Sequence, residues 1–120
     1  MTDTIERFFA AWGEPDADTR AAQITAVLSD GAVYSDPRSG GRLKGPQAIA
    51  DYVANFSANA PGWTAKAESI SEVGGYFRAR VAFGGMGPDG KTMTQHGTYF
   101  CEMAEDGKLG LLAGFVGSEA

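Results

Sequence analysis

The sequence has very few of the residues that build disulfides and metal sites. Its 120 residues include one cysteine, Cys101, and one histidine, His96. A single cysteine cannot form an internal disulfide, and one cysteine with one histidine cannot complete a Cys/His zinc site. We therefore expect a buried, inert thiol at Cys101, no metal site and no cofactor.

Basic residues and long apolar runs are also scarce. Lys and Arg number 10 against 15 Asp and Glu, which gives a net charge of −5. An acidic chain is a poor partner for nucleic acids and anionic membranes. No run approaches the length of a membrane-spanning helix, and the start MTDTIER is polar, without the basic n-region of a signal peptide. These absences favour a cytoplasmic protein with no nucleic-acid or membrane partner.

The first half of the chain has the apolar period of helices. The hydrophobic content of 43% and the aromatic content of 11% are typical of a globular chain, so we expect a single domain over residues 1–120. A first helix is predicted over Met1–Trp12, a second behind an Asp16 cap, and a third from Pro46 to about Ala58. Their apolar stripes are Ile5, Phe8, Phe9 and Trp12; then Ile24, Val27 and Leu28; then Ile49, Tyr52, Val53 and Phe56.

The second half changes to the alternating pattern of strands. Four strand-like segments, 63–73, 76–86, 91–104 and 109–117, are separated by turns rich in Gly, Pro and Asp. The pattern is clearest over 76–86, where one predicted face carries Phe77, Ala79, Val81 and Phe83. Three helices followed by a four-stranded meander predict an α+β domain with the helices packed on one face of an antiparallel sheet.

The most informative stretch is 32–56. A short strand, Ala32–Ser35, stops at Asp36-Pro37, because proline cannot donate to a strand ladder and holds the preceding residue extended. A glycine-rich loop then leads into the helix that begins at Pro46. A carboxylate at a strand end, beside a helix with an aromatic face, could line a pocket. Asp-Pro is also an ordinary turn signal, and taken alone it is read more simply in that way.

The order AVYSDP, RSGG, GPQAIADY and four strand-like segments resembles the ketosteroid isomerase and polyketide cyclase superfamily, also called SnoaL-like or nuclear transport factor two-like. The resemblance covers nearly the whole chain. It implies that a strongly curved antiparallel sheet curls around the helices into a cone with an apolar pocket for a small apolar molecule. It also implies a homodimer through the outer sheet face, where we place Arg78, Arg80, Gln95, Tyr99 and Cys101.

The resemblance further implies catalytic roles. Asp36 matches the general base of the steroid isomerases. Tyr34, two residues earlier, shares its strand face and could hydrogen-bond a ligand or the carboxylate, although a core aromatic fits equally well. Matching Phe100 to the corresponding family phenylalanine puts Thr94, His96, Thr98 and Phe100 on the pocket face. His96 is then predicted to share a cavity with Asp36, although a lone histidine is more often structural.

Two positions depart from the steroid isomerases. Phe8 stands where they carry an oxyanion-binding tyrosine, and Thr98 where they carry an oxyanion-binding acid. Since oxyanion stabilisation is commonly the largest catalytic contribution, we expect negligible steroid isomerase activity. Six more residues are candidates for lining the pocket, although each also fits ordinary core packing. They are Trp12, Phe56, Trp63, Met86, Met93 and Phe115.

Two functions remain open from the sequence. One is a cofactor-independent isomerase, cyclase, dehydratase or hydrolase acting on a small apolar substrate, with Asp36 as base and His96 as its partner or as the electrophilic donor. The other is a non-catalytic domain that uses the same pocket to bind a hydrophobic ligand. Both functions need the pocket, and only the enzyme needs the Asp36 carboxylate within reach of His96 or Tyr34.

Overall fold

The computed structural model describes residues 2–117, so Met1 of the predicted first helix lies outside the described residues. Three helices precede most of the strands, and a short 3₁₀ turn at Ala11–Gly13 follows the first helix. The helices are α1 Thr2–Ala10, α2 Ala17–Val27 and α3 Pro46–Asn59. The strands are β1 Leu28–Ser35, β2 Leu43–Lys44, β3 Thr64–Val73, β4 Tyr76–Met86, β5 Thr92–Met103 and β6 Leu109–Val116.

Helices α2 and α3 begin where the sequence predicts. At the start of α2 the Asp16 carboxylate accepts hydrogen bonds from the Thr19 amide at 2.9 Å and the Thr19 hydroxyl at 2.7 Å. At the start of α3, Gly45 adopts φ of 90° and Pro46 occupies the first turn. None of the helices within residues 2–117 is long and apolar enough to cross a membrane.

The strands form one curled, unclosed sheet in the order β2-β1-β6-β5-β4-β3. The α+β fold class is confirmed, with one difference in strand direction. The sheet is mixed rather than wholly antiparallel, because β1 runs parallel to β6. Strand β1 also begins at Leu28, directly after α2, four residues before the predicted start at Ala32.

The β4–β5 hairpin sets which side chains face the helices. Its register pairs Val81 with Gly97, Ala79 with Tyr99, and Phe77 with Cys101. Directly paired residues lie on the same face of a sheet. All six are buried, so this face is the core side of both strands.

Aromatic side chains from α1, α3 and the concave side of the sheet fill the core. Phe8 and Phe9 meet edge to face, with ring centroids 5.0 Å apart, and Phe9 lies 4.7 Å from Tyr99. Trp12 continues this cluster toward α3, where it contacts Phe56 at 5.0 Å. The cluster therefore runs from the buried centre of the domain to a cavity beside α3.

Candidate active site at the Asp36 cavity

An open cavity of about 1200 Å³ lies between α3, the loop after β1 and the concave side of the sheet. Aromatic residues make up much of its wall: Trp12, Tyr52, Phe56, Trp63, Phe83 and Tyr99. Polar residues also line it: Asp36, Arg38, Ser39, Asn55, Asn59 and Gln95. A largely apolar cavity with a few polar groups is typical of small-molecule sites.

The turn after β1 fixes Asp36 at the cavity. Its side-chain Oδ1 accepts from the Arg38 amide at 2.8 Å, which closes an Asx turn around Pro37. The Ser39 hydroxyl donates to the Asp36 carbonyl at 3.0 Å and accepts from the Asp36 amide at 3.1 Å. The Asp-Pro signal therefore does specify a turn, and that turn holds the carboxylate in place.

Three tyrosine hydroxyls connect to this carboxylate. The Tyr34 hydroxyl donates to Oδ2 at 2.6 Å, and the Tyr52 hydroxyl lies 2.8 Å from both carboxylate oxygens. The hydroxyls of Tyr34 and Tyr99 lie 2.7 Å apart. Since an ionised carboxylate only accepts, the Tyr34 proton is directed to Asp36, and Tyr99 must donate to Tyr34.

The environment keeps these tyrosines protonated. Burial is the main cause that raises the pKa of Tyr34 and of Tyr99 above the ordinary tyrosine value. Burial, together with the hydrogen bond to Asp36, also raises the pKa of Tyr52. At neutral pH all three therefore keep their protons and act as hydrogen-bond donors.

The carboxylate keeps room for one more partner. Its two oxygens offer about four acceptor positions. The Arg38 amide and the hydroxyls of Tyr34 and Tyr52 supply three donors. One acceptor position is left for a group bound in the cavity, which is the position a general base needs.

His96 and Asp36 border the same cavity, but the predicted inward orientation of the His96 side chain is wrong. Its Nε2 lies 3.4 Å from Oε1 of Glu68, on the face opposite the core. Arg80 Nε lies 3.7 Å from the same Glu68 oxygen. The register of β5 explains the error. Gly97 and Tyr99 lie on the inner face of the strand, so the side chain of His96, one position away from Gly97, projects from the outer face.

The same register places two other residues that were predicted to line the pocket on the outer face of β5. The Thr98 hydroxyl donates to the Gly117 carbonyl at 2.9 Å, and Phe100 is 47% exposed on the outer face. Phe115 borders the cavity, yet its ring packs edge to face on Phe100 at 5.8 Å. Tyr99 and Cys101, predicted to face outward, are buried in the core.

Most of the other predicted wall residues do line the cavity. They are Trp12, Phe56, Trp63 and Met93. Met86 is 63% exposed, and its carbonyl accepts from the Trp63 indole at 3.0 Å. Tyr34 is fully buried behind Asp36, so it contacts the carboxylate rather than the cavity.

Sequence reasoning missed the roles of two residues. Tyr52 is recognised only as part of the apolar stripe of α3, and Tyr99 is assigned to the wrong face. Counting the β4–β5 register across the turn centred on Asp89 places Tyr99 opposite Ala79, on the apolar face of β4. Within residues 2–117, no group of three or more His, Cys, Asp or Glu side chains is arranged to hold a metal ion.

Comparison with known proteins agrees with this architecture. The SnoaL-like domain family matches residues 5–110. No curated protein sequence matches the chain.

Three solved structures illustrate the structural likeness. A SnoaL-like family protein from Agrobacterium tumefaciens, described as an isomerase, has a TM-score of 0.81 at 22% identity, over 97% of this chain and 96% of that one. A SnoaL-like protein from Jannaschia sp., described as a polyketide cyclase, has a TM-score of 0.76 at 16% identity, over 95% and 83%. An LEH-like epoxide hydrolase from M. tuberculosis has a TM-score of 0.70 at 18% identity, over 96% and 80%.

These structural matches support the fold, and the family match covers most of the chain, including α3, β1 to β5 and Asp36. The chain belongs to the SnoaL-like domain family.

Proposed function

We propose that this protein is a small-molecule enzyme that performs cofactor-independent acid–base chemistry on a small apolar substrate in the Asp36 cavity. The observation that carries the proposal is a carboxylate held at an aromatic cavity by two tyrosine hydroxyls, with one acceptor position left over. The class of reaction is isomerisation, cyclisation, dehydration or hydrolysis. Structurally similar proteins described as an isomerase, a polyketide cyclase and an epoxide hydrolase support this range.

In this mechanism Asp36 takes a proton from a substrate carbon or from a bound water. The Tyr34 hydroxyl and the Arg38 amide hold the carboxylate in place while its charge changes. Tyr52 lies in the cavity wall and within reach of both carboxylate oxygens. Once Asp36 is protonated, the Tyr52 hydroxyl is free to donate to oxygen that gains negative charge on the substrate.

The proposal excludes efficient steroid isomerisation. Phe8 is fully buried and carries no hydroxyl, and the Thr98 hydroxyl is bonded to the Gly117 carbonyl. Neither residue supplies an oxyanion donor to the cavity. We expect negligible turnover of a ketosteroid, and a rate equal to that of the known isomerases would contradict this assignment.

The base is tested with nitrobenzisoxazole, a small aromatic carbon acid whose ring opens to a coloured cyanophenolate when a base removes its one acidic C–H proton. We expect saturable turnover by the unmodified protein and a loss of about a hundredfold or more in Asp36→Asn, because the amide cannot accept this proton. Asp51→Asn is the matched control. Asp51 is an exposed carboxylate on α3 that bonds Gln47, and its loss should leave the rate unchanged.

A non-catalytic domain that only binds a ligand predicts a different result in the nitrobenzisoxazole assay. If the cavity only holds a ligand, nitrobenzisoxazole should bind without faster ring opening, and Asp36→Asn should change affinity alone. Equal rates for the unmodified protein and Asp36→Asn, with both folded by circular dichroism, would refute Asp36 as the base.

A further inference from the structure

Trp12 carries a buried hydrogen-bond donor with no partner. Its side chain is 2% exposed, and among residues 2–117 no group accepts from its indole Nε1. The other tryptophan, Trp63, donates its indole N–H to the Met86 carbonyl at 3.0 Å. The missing partner is therefore particular to Trp12.

The surroundings of Trp12 are aromatic and offer only weak acceptors. Phe56 lies 5.0 Å away with an interplanar angle of 65°, and Phe83 lies 5.4 Å away at 57°. Tyr52 lies edge to face at 6.3 Å. The π face of a ring replaces a true acceptor only in part, and a buried donor without one costs about 1–3 kcal/mol.

Trp12 lines the Asp36 cavity together with Tyr52 and Phe56, and its Nε1 atom lies just beneath the cavity surface, covered by neighbouring rings. Both of these α3 side chains are only half-buried. Tyr52 is anchored by its hydrogen bonds to Asp36, whereas Phe56 carries no hydrogen-bonding group and is the easier of the two for a ligand to displace. A ligand that displaces the Phe56 ring would open the way for one of its own acceptor atoms to reach the indole N–H.

We propose that the Trp12 indole N–H donates a hydrogen bond to an oxygen acceptor of the ligand, such as a carbonyl, epoxide or ether oxygen, inside the Asp36 cavity. The proposal rests on the proposed function, because it assumes that a ligand occupies this cavity. It deepens that function by assigning an electrophilic donor, one helical turn beyond Phe8 on the same apolar stripe. The ligand must then present an oxygen to Trp12 and an acidic or reacting group to Asp36.

The test compares indanone with indane, the hydrocarbon that lacks only the carbonyl oxygen. Protein labelled with ¹⁵N should show two indole cross-peaks, one for each tryptophan. We assign them with Trp63→Phe. Indanone should shift the Trp12 indole proton downfield, indane should not, and the hydrogen-bonded Trp63 proton should move little with either.

Trp12→Phe supplies the affinity measurement, because it keeps an aromatic ring and removes the N–H. We expect it to weaken indanone binding about three- to tenfold and to leave indane binding nearly unchanged. If this variant does not fold, the indole shifts of the unmodified protein decide the question.

Two other outcomes are informative. If both probes bind with equal affinity and shift the Trp12 indole proton alike, the donor role is refuted while the cavity stands as a ligand site. If neither probe binds in the cavity, the cavity itself fails as a site for small apolar ligands, and the inference fails with it.

Discussion

At the scale of single residues, the chemistry of Asp36 depends on a hydroxyl chain with one direction. Tyr99 donates to Tyr34, and Tyr34 donates to the carboxylate. Each hydroxyl uses its only proton in this order. Removing a middle member therefore does more than remove one bond, because it also leaves its neighbour without an acceptor.

This order predicts that Tyr99→Phe and Tyr34→Phe lower the free energy of unfolding by different amounts. Tyr99→Phe removes one donor and should lower the free energy of unfolding by about 0.5–1.5 kcal/mol. Tyr34→Phe should cost about 1–3 kcal/mol, because it leaves the buried Tyr99 hydroxyl without its acceptor and Asp36 without one donor. Urea denaturation monitored by circular dichroism measures both.

The double variant Tyr34→Phe/Tyr99→Phe should cost less than the sum of the two single variants, since no orphaned hydroxyl remains on Tyr99. Additive costs would show that the two hydroxyls are not coupled. An equal cost for both single variants would contradict the direction of the chain.

The sequence could predict only part of this residue-scale chemistry. The Asp-Pro signal predicted a carboxylate at a strand end, and the two-residue spacing predicted that Tyr34 shares its face. The predicted hydrogen bond from Tyr34 to the carboxylate is present at 2.6 Å. Two bonds of the network join residues that are distant in sequence. Tyr52 lies 16 residues from Asp36 and Tyr99 lies 65 residues from Tyr34, so both bonds depend on how helices and strands pack. No local pattern encodes those distances.

At the scale of elements, strand β5 shows how a single anchor residue can mislead. Tyr99 and Phe100 are adjacent aromatics, so either can be chosen to face the core, and choosing Phe100 reverses every assignment along the strand. The physical signal lies in β4, whose alternation is unambiguous. Pairing Met86 with Thr92 across the turn carries that alternation into β5 and places Tyr99 inward.

The neighbouring strand β6 leaves room for Tyr99 only because it has a glycine opposite. A Cβ atom on Gly114 would lie 2.5 Å from Tyr99 Cε2 and 2.7 Å from Cζ. The ring is buried, bonded to Tyr34 and packed on Phe9, so it cannot move away freely. Gly114 is therefore a steric requirement of the site rather than a turn residue.

Gly114→Ala should lower the free energy of unfolding by about 1–3 kcal/mol and disturb the tyrosine chain, because overpacking forces the ring aside. Gly31→Ala in β1 is the matched control. A Cβ there meets nothing within 4 Å, so its stability should change little. Thermal denaturation of the two variants checks this, and equal stability of both would contradict the close packing of Tyr99 on β6.

At the scale of the whole molecule, the outer face of the sheet is unexpectedly aromatic. The residues predicted for this face included Tyr99 and Cys101, which the structure buries, whereas Phe100 and Phe115 are 47% and 56% exposed. Their rings form an edge-to-face pair beside the exposed Leu111. We propose that this surface pairs two copies of the chain, since exposed apolar patches commonly mark contact sites.

Sedimentation at micromolar concentration should show a dimer that Phe100→Glu converts to a monomer, because the carboxylate would be buried in the interface without a partner. Val73→Glu, an equally acidic change at the β3–β4 turn where Val73 is 78% exposed, should leave the dimer intact. A clean monomer for the unmodified protein would refute the proposal.

The parallel pairing of β1 with β6 determines when the site can assemble as the chain leaves the ribosome. About 70 residues separate the two strands, and within the described sheet the other neighbour of β1 is the two-residue β2. Until β6 has emerged, β1 therefore exposes one unpaired edge, and Asp36 at its end lacks Tyr99 from the last hairpin. Contacts so distant in sequence form slowly, because closing the loop costs entropy before any contact stabilises it. Asp36 therefore acquires its full set of partners only after β5 and β6 have been synthesised, and until then the unpaired edge of the strand beside it is open to incorrect pairing.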